Sequence, residues 1–492
     1  MSIIQVENLT FSYPTSYDTI FDHVSFRLDT DWKLGFIGRN GRGKTTFLKL
    51  LMGELDYSGN IISSVPFQYF PHPVEDPDRL TEEILMEICP LAEQWEILRE
   101  LAELDAGADI LWRPFATLSN GEQTKALLAA HFLEQGKFML IDEPTNHLDT
   151  GARATVSAYL KRKKGFLLVS HDRRFLDGCV DHIVSLNRSD ITVRSGNVSS
   201  WMLEFEQRQA LEHAQQKRLQ QDVKRLRQAA RRSTTWSDRV EASKVGALDK
   251  GYVGHKAAKM MKRAKALEAR QQRAIDEKVG LLKNAETAEE LKLSPLVYHA
   301  DTLVMCSEVV VHYDGKPVCA PVSFTLRQGE RVVLEGKNGS GKSSLLKLLL
   351  GEAIVHTGTM KTGSGLIVSY VPQDTADLHG SLTAYAQQNG IEDSQFKAIL
   401  RKMGLERVQF EKDIREFSSG QKKKVLLAGS LCTKAHLYVW DEPLNFIDIY
   451  SRMQIEQLLQ TVCPTMLFVE HDKAFQEAVA TRTVCMQRAC DR

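Results

Sequence analysis

Two stretches decide the fold, GRNGRGKT (Gly38–Thr45) and GKNGSGKS (Gly336–Ser343). Each matches the phosphate-binding pattern G-x-x-x-x-G-K-[ST], follows a strand-like run (KLGFIG, RVVLEG) and opens a helix-like run (TTFLKLLMG, SSLLKLLLG). Glycines in such a loop let backbone N–H groups wrap around phosphate oxygens at a helix N-terminus. The lysine then reaches the β- and γ-phosphates, and the hydroxyl binds Mg²⁺. The alternative is a glycine turn that only caps a helix. It is disfavoured because the motif occurs twice, each time between a strand-like run and a helix-like run.

Further motifs repeat at a separation of about 300 residues, which is typical of tandem duplication. They are FMLIDEP and LYVWDEP, with Asp142–Glu143 and Asp441–Glu442; LSNGEQ and FSSGQK, with Ser119 and Ser418; and LLVSHD and LFVEHD, with His171 and His471. The chain therefore contains one α/β unit, a different segment, and the same unit again. We predict domain boundaries at 1–203, 204–297 and 298–492.

Composition excludes several classes of protein. The 492 residues are 43% hydrophobic and 26% charged, which is ordinary for globular cores. No apolar run approaches the roughly 20 residues that span a bilayer, and the N-terminus lacks the pattern of a signal peptide. The eight cysteines form no C-x-x-C pair, so reduced thiols are favoured over disulfides or zinc. We expect a cytoplasmic protein without a membrane partner.

The segment between the repeats concentrates positive charge. Residues 207–283 carry 20 Lys and Arg against 8 Asp and Glu, a net charge of +12, in a chain whose total is zero. Apolar residues at 219–230 and 260–281 follow the 4-3 spacing of a helical seam, and a glycine-containing stretch separates them. We therefore predict an antiparallel helical hairpin with a loop at its tip.

Three interpretations of this hairpin compete: a solvated spacer, a membrane-surface helix, and a rod that binds nucleic-acid phosphates. Clustered single-sign charge favours the third, because counterion release rewards it. Trp236 and Tyr252 stack on RNA bases in that interpretation, or else pack between the two arms. The candidate RNA-binding residues are Arg231, Arg232, Trp236, Lys244, Lys250, Tyr252, Lys256, Lys259, Lys262 and Arg263.

The motifs, in this order, resemble the nucleotide-binding domains of ATP-binding cassette proteins over residues 1–200 and 300–480. The resemblance implies an α/β fold of two tandem ABC-type P-loop domains, cassette one (1–203) and cassette two (298–492), joined by the basic helical hairpin. It also implies that two ATP molecules are clamped head to tail. Site one combines the phosphate loop of cassette one with Ser418 and Gly420, and site two combines that of cassette two with Ser119 and Gly121.

The resemblance implies a role for each motif residue. Glu143 and Glu442 polarise the attacking water, and His171 and His471 contact the γ-phosphate. The Mg²⁺ residues are Thr45, Asp142, Ser343, Gln373 and Asp441. The ATP-binding residues are Gly38, Asn40, Gly41, Gly43, Lys44, Thr45, Thr46, Ser119 and Gly121, with Gly336, Asn338, Gly339, Gly341, Lys342, Ser343, Ser344, Ser418 and Gly420. Tyr13 and Tyr313 stack on adenine or belong to the core. Both sites keep the glutamate, so we predict that both hydrolyse ATP.

Several departures from the family pattern predict unequal sites. His72 stands where the second cassette has Gln373. The first signature has Asn120 and Glu122, and the second has Ser419 in place of a glycine. After the Asp-Glu pair, TNHLD in cassette one becomes LNFID in cassette two, so that Leu444 and Phe446 replace Thr145 and His147.

The whole arrangement resembles the ABC-F family, twin-cassette ATPases whose basic linker enters the ribosome. Closer similarity to the Lsa-type resistance proteins rests on DTDWKLGFIGRNGRGKTTFL, LSNGEQTK, DKGYVGHKAAKMMKR, RQQRAIDEK and HLYVWDEPLN. It implies a monomer that binds the bacterial 70S ribosome through rRNA and P-site tRNA. It also implies protection against lincosamides, streptogramin A and pleuromutilins. The alternatives are a housekeeping translation factor, the ATPase module of a drug exporter, and a DNA-repair ATPase.

Overall fold

A computed structural model of the chain describes residues 2–13, 19–134, 136–146, 148–186, 191–208, 211, 218, 221 and 291–489. The candidate RNA-binding residues between Arg231 and Arg263 lie outside the described residues. Backbone contacts divide the chain into a unit of Met1–Ser199 with Glu290–Arg492 and a second unit, Ser200–Glu289. Both cassettes therefore belong to one compact unit. The finer boundaries at 203 and 297 remain predictions.

Cassette one contains two sheets. A three-stranded antiparallel sheet has the order β2-β1-β4, and a six-stranded sheet has the order β5-β6-β7-β3-β8-β9, parallel except for β9. The central strands β6 and β7 are continuous apolar runs because helices or the other sheet cover both of their faces. The strands are β1 Ile3–Ser12, β2 Thr19–Asp29, β3 Lys33–Gly38, β4 Ser58–Ser63, β5 Phe67–Phe70, β6 Phe138–Asp142, β7 Phe166–Val169, β8 His182–Leu186 and β9 Ile191–Ser195.

Three helices of cassette one begin at a polar capping residue. Ser119, Asp149 and Asp172 each accept a hydrogen bond from a backbone N–H of the first turn, which explains why the chain becomes helical at those points. The helices are α1 Lys44–Leu51, α2 Thr81–Ile88, α3 Gln94–Glu103, α4 Asn120–Leu133, α5 Thr150–Arg162 and α6 Arg173–Cys179, with 3-10 turns at Ala108–Trp112 and Phe115–Thr117.

Cassette two repeats this architecture. Its parallel sheet has the order β15-β16-β17-β13-β18, and its antiparallel sheet pairs β10 with β11, β12 and β14. The strands are β10 Thr302–Tyr313, β11 Lys316–Pro317, β12 Val322–Arg327, β13 Arg331–Glu335, β14 His356–Thr362, β15 Val368–Val371, β16 Leu437–Asp441, β17 Met466–Val469 and β18 Arg482–Cys485. The helices are α7 Lys342–Leu349, α8 Leu382–Gln388, α9 Asp393–Lys402, α10 Ser419–Cys432, α11 Ile449–Val462 and α12 Lys473–Val479.

The sheet order brings the motifs together. Strands β6, β7 and β3 are neighbours, and so are β16, β17 and β13. Each phosphate loop follows the end of β3 or β13, each Asp-Glu pair ends β6 or β16, and each histidine follows β7 or β17. Parallel strands present their carboxyl ends at one edge, so the three motifs of each repeat meet there. The predicted fold of two tandem α/β units is confirmed.

None of the helices that the structure describes combines the length and the apolar character needed to span a lipid bilayer.

Candidate active site

The two phosphate loops share one local geometry. Gly43 (φ 98°) and Gly341 (φ 84°) adopt the left-handed conformation that favours glycine, and α1 and α7 begin directly after them. Lys44 Nζ donates to the Gly38 carbonyl at 2.8 Å, and Lys342 Nζ donates to the Gly336 carbonyl at the same distance. Burial lowers the pKa of both lysines. Each loop therefore holds a desolvated cation at a helix N-terminus, which suits a polyphosphate.

The loop hydroxyls contact the first carboxylate of each Asp-Glu pair. Thr45 Oγ1 donates to Asp142 Oδ2 at 2.9 Å, and the Ser343 hydroxyl bonds Asp441. Burial raises the pKa of Asp441 to about 6, and its Oδ1 has no hydrogen-bond partner among the described residues. This orphaned oxygen beside a hydroxyl fits a small hard cation such as Mg²⁺.

No group of three or more His, Cys, Asp or Glu residues in the described ranges is arranged to hold a metal ion. Mg²⁺ typically uses one or two protein carboxylates and takes its remaining ligands from substrate phosphates and water. The Asp and hydroxyl pairs of this protein therefore match a cation that arrives with a nucleotide.

The second carboxylate of the pair differs between the sites. In site one, burial raises the pKa of Glu143 to about 8, and the neighbouring Asp142 adds to the shift. Its Oε1 lies 3.4 Å from His171 Nε2 and has no hydrogen-bond partner among the described residues. His171 Nε2 instead bonds Asn40 Oδ1 at 3.0 Å.

In site two, three side chains hold Glu442. Gln373 Nε2 donates to its Oε2 at 2.8 Å, Asn445 Nδ2 donates to the same atom at 2.6 Å, and His471 Nε2 lies 3.3 Å from Oε1. Burial opposes ionisation, but these hydrogen bonds outweigh it and lower the pKa of Glu442 to about 2. The carboxylate of site two is thus ionised and oriented at neutral pH.

Site two is an open cavity between the cassettes. Its volume is about 1170 Å³, enough for a nucleotide. Both cassettes line it, as the head-to-tail arrangement requires. The lining includes Ser119, Gly121, Asn146 and Asp149 of cassette one and Tyr313, Gly336, Lys342, Ser343, Gln373, Glu442 and His471 of cassette two.

At site one the two cassettes are in direct contact. Asn40, within the loop of cassette one, donates through Nδ2 to the Phe446 carbonyl at 2.5 Å and through its backbone N–H to Asp448 at 3.4 Å. A Cβ on Gly420 would lie 2.5 Å from the Phe446 carbonyl oxygen and 2.8 Å from Asn40 Nδ2. The second signature therefore reaches site one, and glycine permits the approach. The contact of Ser418 with a nucleotide remains a prediction.

The signature serines cap the helices that follow them. Ser418 Oγ accepts from the Gln421 N–H at 3.3 Å, and Ser119 Oγ donates to Glu122 at 2.8 Å. The departure at Glu122 thus places a carboxylate beside Ser119, and both line the cavity of site two. His72, which departs from the family pattern, packs edge-on against His131, with the ring centroids 5.6 Å apart.

The predicted adenine-stacking tyrosines are exposed, not buried in the core. Tyr13 bonds the Thr46 hydroxyl at 3.0 Å, and Tyr313 bonds the Ser344 hydroxyl at 3.0 Å. Each ring therefore stands beside the first turn after its phosphate loop. Stacking on adenine remains a prediction. Of the other loop residues, Gly41 and Gly339 have positive φ, and the Asn338 carbonyl accepts from Arg488.

Sequence reasoning missed several residues that shape the sites. Asp448 pairs with Lys424 at 2.7 Å, both completely enclosed, and Asn445 orients Glu442. A repeat alignment offered a signal, because Asn and Asp recur in NHLD and NFID. Arg488, which follows β18, also lines the cavity of site two, and it belongs to no recognisable sequence motif.

Comparison with known proteins agrees with this geometry. The model of a family described as ABC transporter matches residues 21–146 and 319–445. Ribosome protection protein VmlR of Bacillus subtilis is 28% identical over 484 residues, covering 95% of this chain and 84% of VmlR. The uncharacterized ABC transporter ATP-binding protein YfmM of Bacillus subtilis is 26% identical over 98% of both chains.

Solved structures share the fold. The archaeal ribosome recycling factor aABCE1 superposes with a TM-score of 0.63 over 98% of this chain and 89% of that chain, at 20% identity. At this identity the likeness concerns the fold alone.

Proposed function

Because the chain belongs to the ABC transporter family and is an ATPase, we propose that ATP hydrolysis controls its binding to the bacterial 70S ribosome. The relatives support the resemblance to ABC-F proteins. In the proposed cycle, two ATP molecules close the cassettes, the closed form binds the ribosome, and hydrolysis releases it. The bound form protects the peptidyl-transferase centre from lincosamides, streptogramin A and pleuromutilins. Such a protein works in the cytoplasm without a membrane partner.

The observation that carries this proposal is the composite cavity of site two. Its walls come from both cassettes, so a nucleotide in it would contact Ser119 and Gly121 on one side and Lys342 on the other. Binding energy from such a nucleotide depends on the relative placement of the cassettes. ATP therefore favours the closed arrangement, because in that arrangement it also contacts the residues of the second cassette and binds more tightly.

The site residues have distinct proposed roles in hydrolysis. Lys342 would neutralise phosphate charge. Ser343, Asp441 and Gln373 would hold Mg²⁺, which would add charge neutralisation on the phosphates when bound. Glu442 accepts a hydrogen bond from the attacking water, and His471 lies beside it to contact the γ-phosphate. Site one has the same residue types in Lys44, Thr45, Asp142, Glu143 and His171. Positioning and charge account for most catalysis in such a reaction.

The proposed ribosome contact rests on charge. The net charge of +12 in residues 207–283 suits rRNA and tRNA phosphates, and counterion release makes such binding strong at low salt. VmlR, which matches this chain over most of its length, is named as a ribosome protection protein. To drive the closed state from rare to dominant, the ribosome must prefer it by roughly 5 kcal/mol.

The proposal is tested with the double variant Glu143→Gln and Glu442→Gln, which should bind ATP without turnover. We expect it to sediment with 70S ribosomes in ATP and to remain free in ADP. Equal sedimentation in ATP, in ADP and without nucleotide would overturn the nucleotide control. If about 8 linker charges meet phosphates, log affinity should fall against log salt with a slope near −6 to −7.

A linker variant separates ribosome binding from catalysis. Replacing Lys256, Lys259, Lys262 and Arg263 together with Gln should weaken sedimentation at least tenfold and leave ribosome-free ATPase activity unchanged. The matched control replaces four exposed basic residues of cassette two, Lys361, Arg401, Arg407 and Lys412, with Gln. Equal sedimentation of the linker variant and the parent would contradict an RNA-binding hairpin and favour a spacer.

Drug protection is distinguished from the alternatives in cells. Expression should raise tolerance to the three drug classes, leave drug accumulation unchanged, and require both glutamates. Lower accumulation would favour an exporter module. Slow growth of a deletion strain without drug, together with unchanged drug tolerance, would favour the housekeeping translation factor.

A further inference from the structure

Lys423 is a buried lysine outside the sequence motifs. It lies in the first turns of α10, directly after the second signature, and only 1% of it is exposed. Its Nζ donates to the Pro372 carbonyl at 2.9 Å and lies 3.5 Å from the Asp441 carbonyl. A buried ammonium is costly unless acceptors surround it, so these two carbonyls compensate for its desolvation.

Both acceptors belong to segments that build site two. Pro372 immediately precedes Gln373, and Asp441 immediately precedes Glu442. Gln373 and Glu442 are themselves joined by the 2.8 Å hydrogen bond described above. The ammonium therefore ties α10 to the two backbone segments that carry this pair, and it fixes the distance between their peptide planes.

Cassette one is built differently at the same place. Thr124 occupies the position of Lys423, and its hydroxyl donates to the Asn120 carbonyl one turn back in α4 at 2.9 Å. The residue of cassette one equivalent to Gln373 is His72, which packs against His131. A long cation and an ordered Gln–Glu pair thus occur together in cassette two, and both are replaced in cassette one.

We propose that Lys423 is a positioning residue for site two: its ammonium orients Gln373 against Glu442 by holding the Pro372 and Asp441 carbonyls. Because α10 begins at the signature that faces site one, the same side chain links the wall of site one to the catalytic pair of site two. This inference rests on the proposed role of Glu442 as the residue that polarises water.

The test uses the full chain with Glu143→Gln, so that ATP turnover reports site two. Lys423→Met keeps the length and removes the ammonium. We expect kcat to fall about tenfold while KM for ATP changes less than twofold, because the phosphate loop is untouched. Lys434→Met, at an exposed position just after α10, removes the same charge and should leave kcat within twofold.

A double-variant cycle separates positioning from simple destabilisation. If Lys423 acts through Gln373, then Gln373→Ala should lower kcat by a similar factor, and the combined variant should be no slower than the slower single variant. Multiplied losses would overturn the proposal, and so would an unchanged kcat. A fall in kcat matched by loss of folded protein in circular dichroism would also count against positioning. Should Lys423→Met fail to fold, Lys423→Gln, which retains a donor, takes its place in the same cycle.

Failure of the underlying proposal gives a different result. If Glu442→Gln in the Glu143→Gln background does not reduce turnover, Glu442 lacks the proposed role, whatever Lys423 does. If Glu442→Gln abolishes turnover and Lys423→Met has no effect, only the positioning role is lost.

Discussion

Site one and site two carry the same motifs but differ in their access to solvent and in the surroundings of their glutamates. In site two the phosphate loop faces an open cavity, and Glu442 is held by His471, Gln373 and Asn445. In site one, Asn40 meets the Phe446 carbonyl and Asp448 across the cassette boundary, and Glu143 is buried with a raised pKa. The difference shows that the duplicated motif supplies the same carboxylate twice, whereas the burial and hydrogen bonds around each carboxylate decide its protonation.

The largest expected effect concerns the two glutamates. Glu442→Gln should reduce steady-state ATPase activity by about 100-fold, because its ionised carboxylate is the proposed general base. Glu143→Gln should cost less than about tenfold, since its carboxyl is largely protonated at pH 7. Phosphate release from the purified chain measures both. Equal losses would show that the two sites contribute equally.

The pH dependence sharpens the same contrast. Only an ionised carboxylate can accept a proton, and burial raises the pKa of Glu143 to about 8. Turnover of the Glu442→Gln chain should therefore rise about tenfold between pH 7 and pH 9. Turnover of the Glu143→Gln chain should stay level over this range, because the pKa of Glu442 lies near 2. Profiles of one shape would contradict the assignment.

The third test compares equivalent aspartates. Asp448→Asn leaves the enclosed Lys424 without a counter-charge and should lower the free energy of unfolding of cassette two by about 3 kcal/mol. Asp149→Asn should cost less than about 0.5 kcal/mol, because Asn caps α5 as well as Asp does. Urea denaturation followed by circular dichroism provides the comparison. Similar costs would mean that Asp448 is no more constrained than its counterpart.

The smallest effect concerns the ion pairs between the cassettes. Arg173 bonds Glu456 of cassette two at 2.5 Å in a largely buried pair, whereas Arg174 bonds Glu477 in the exposed one. Arg173→Ala should lower the unfolding free energy by about 1 kcal/mol and Arg174→Ala by less than about 0.5 kcal/mol. The counterpart of Arg173, Lys473, bonds Glu335 within its own cassette. A larger effect for Arg174 would reverse our ranking of the two contacts.

Local motifs made the architecture predictable. The phosphate loops, Asp-Glu pairs and signature serines occupy strand ends and helix starts, positions that glycine patterns and capping residues announce. The hydrogen-bond partners of Glu442 could not be predicted from such local motifs. Asn445 lies only three residues away, but Gln373 comes from a strand edge about 70 residues earlier, and sequence spacing does not specify which atoms meet.

The sequence by itself determined a duplicated ATPase fold, the residue types of two nucleotide sites and a strongly basic segment between them. Only the tertiary structure decided that site two is an open cavity while the cassettes touch directly at site one, that Glu143 and Glu442 have opposite pKa shifts, and that Lys423 contacts the two backbone segments next to Gln373 and Glu442. The physical reason is range. Backbone turns and caps depend on neighbours within a few residues, whereas burial and electrostatics depend on every group within several ångströms, including groups some 400 positions away such as Asn40 and Phe446.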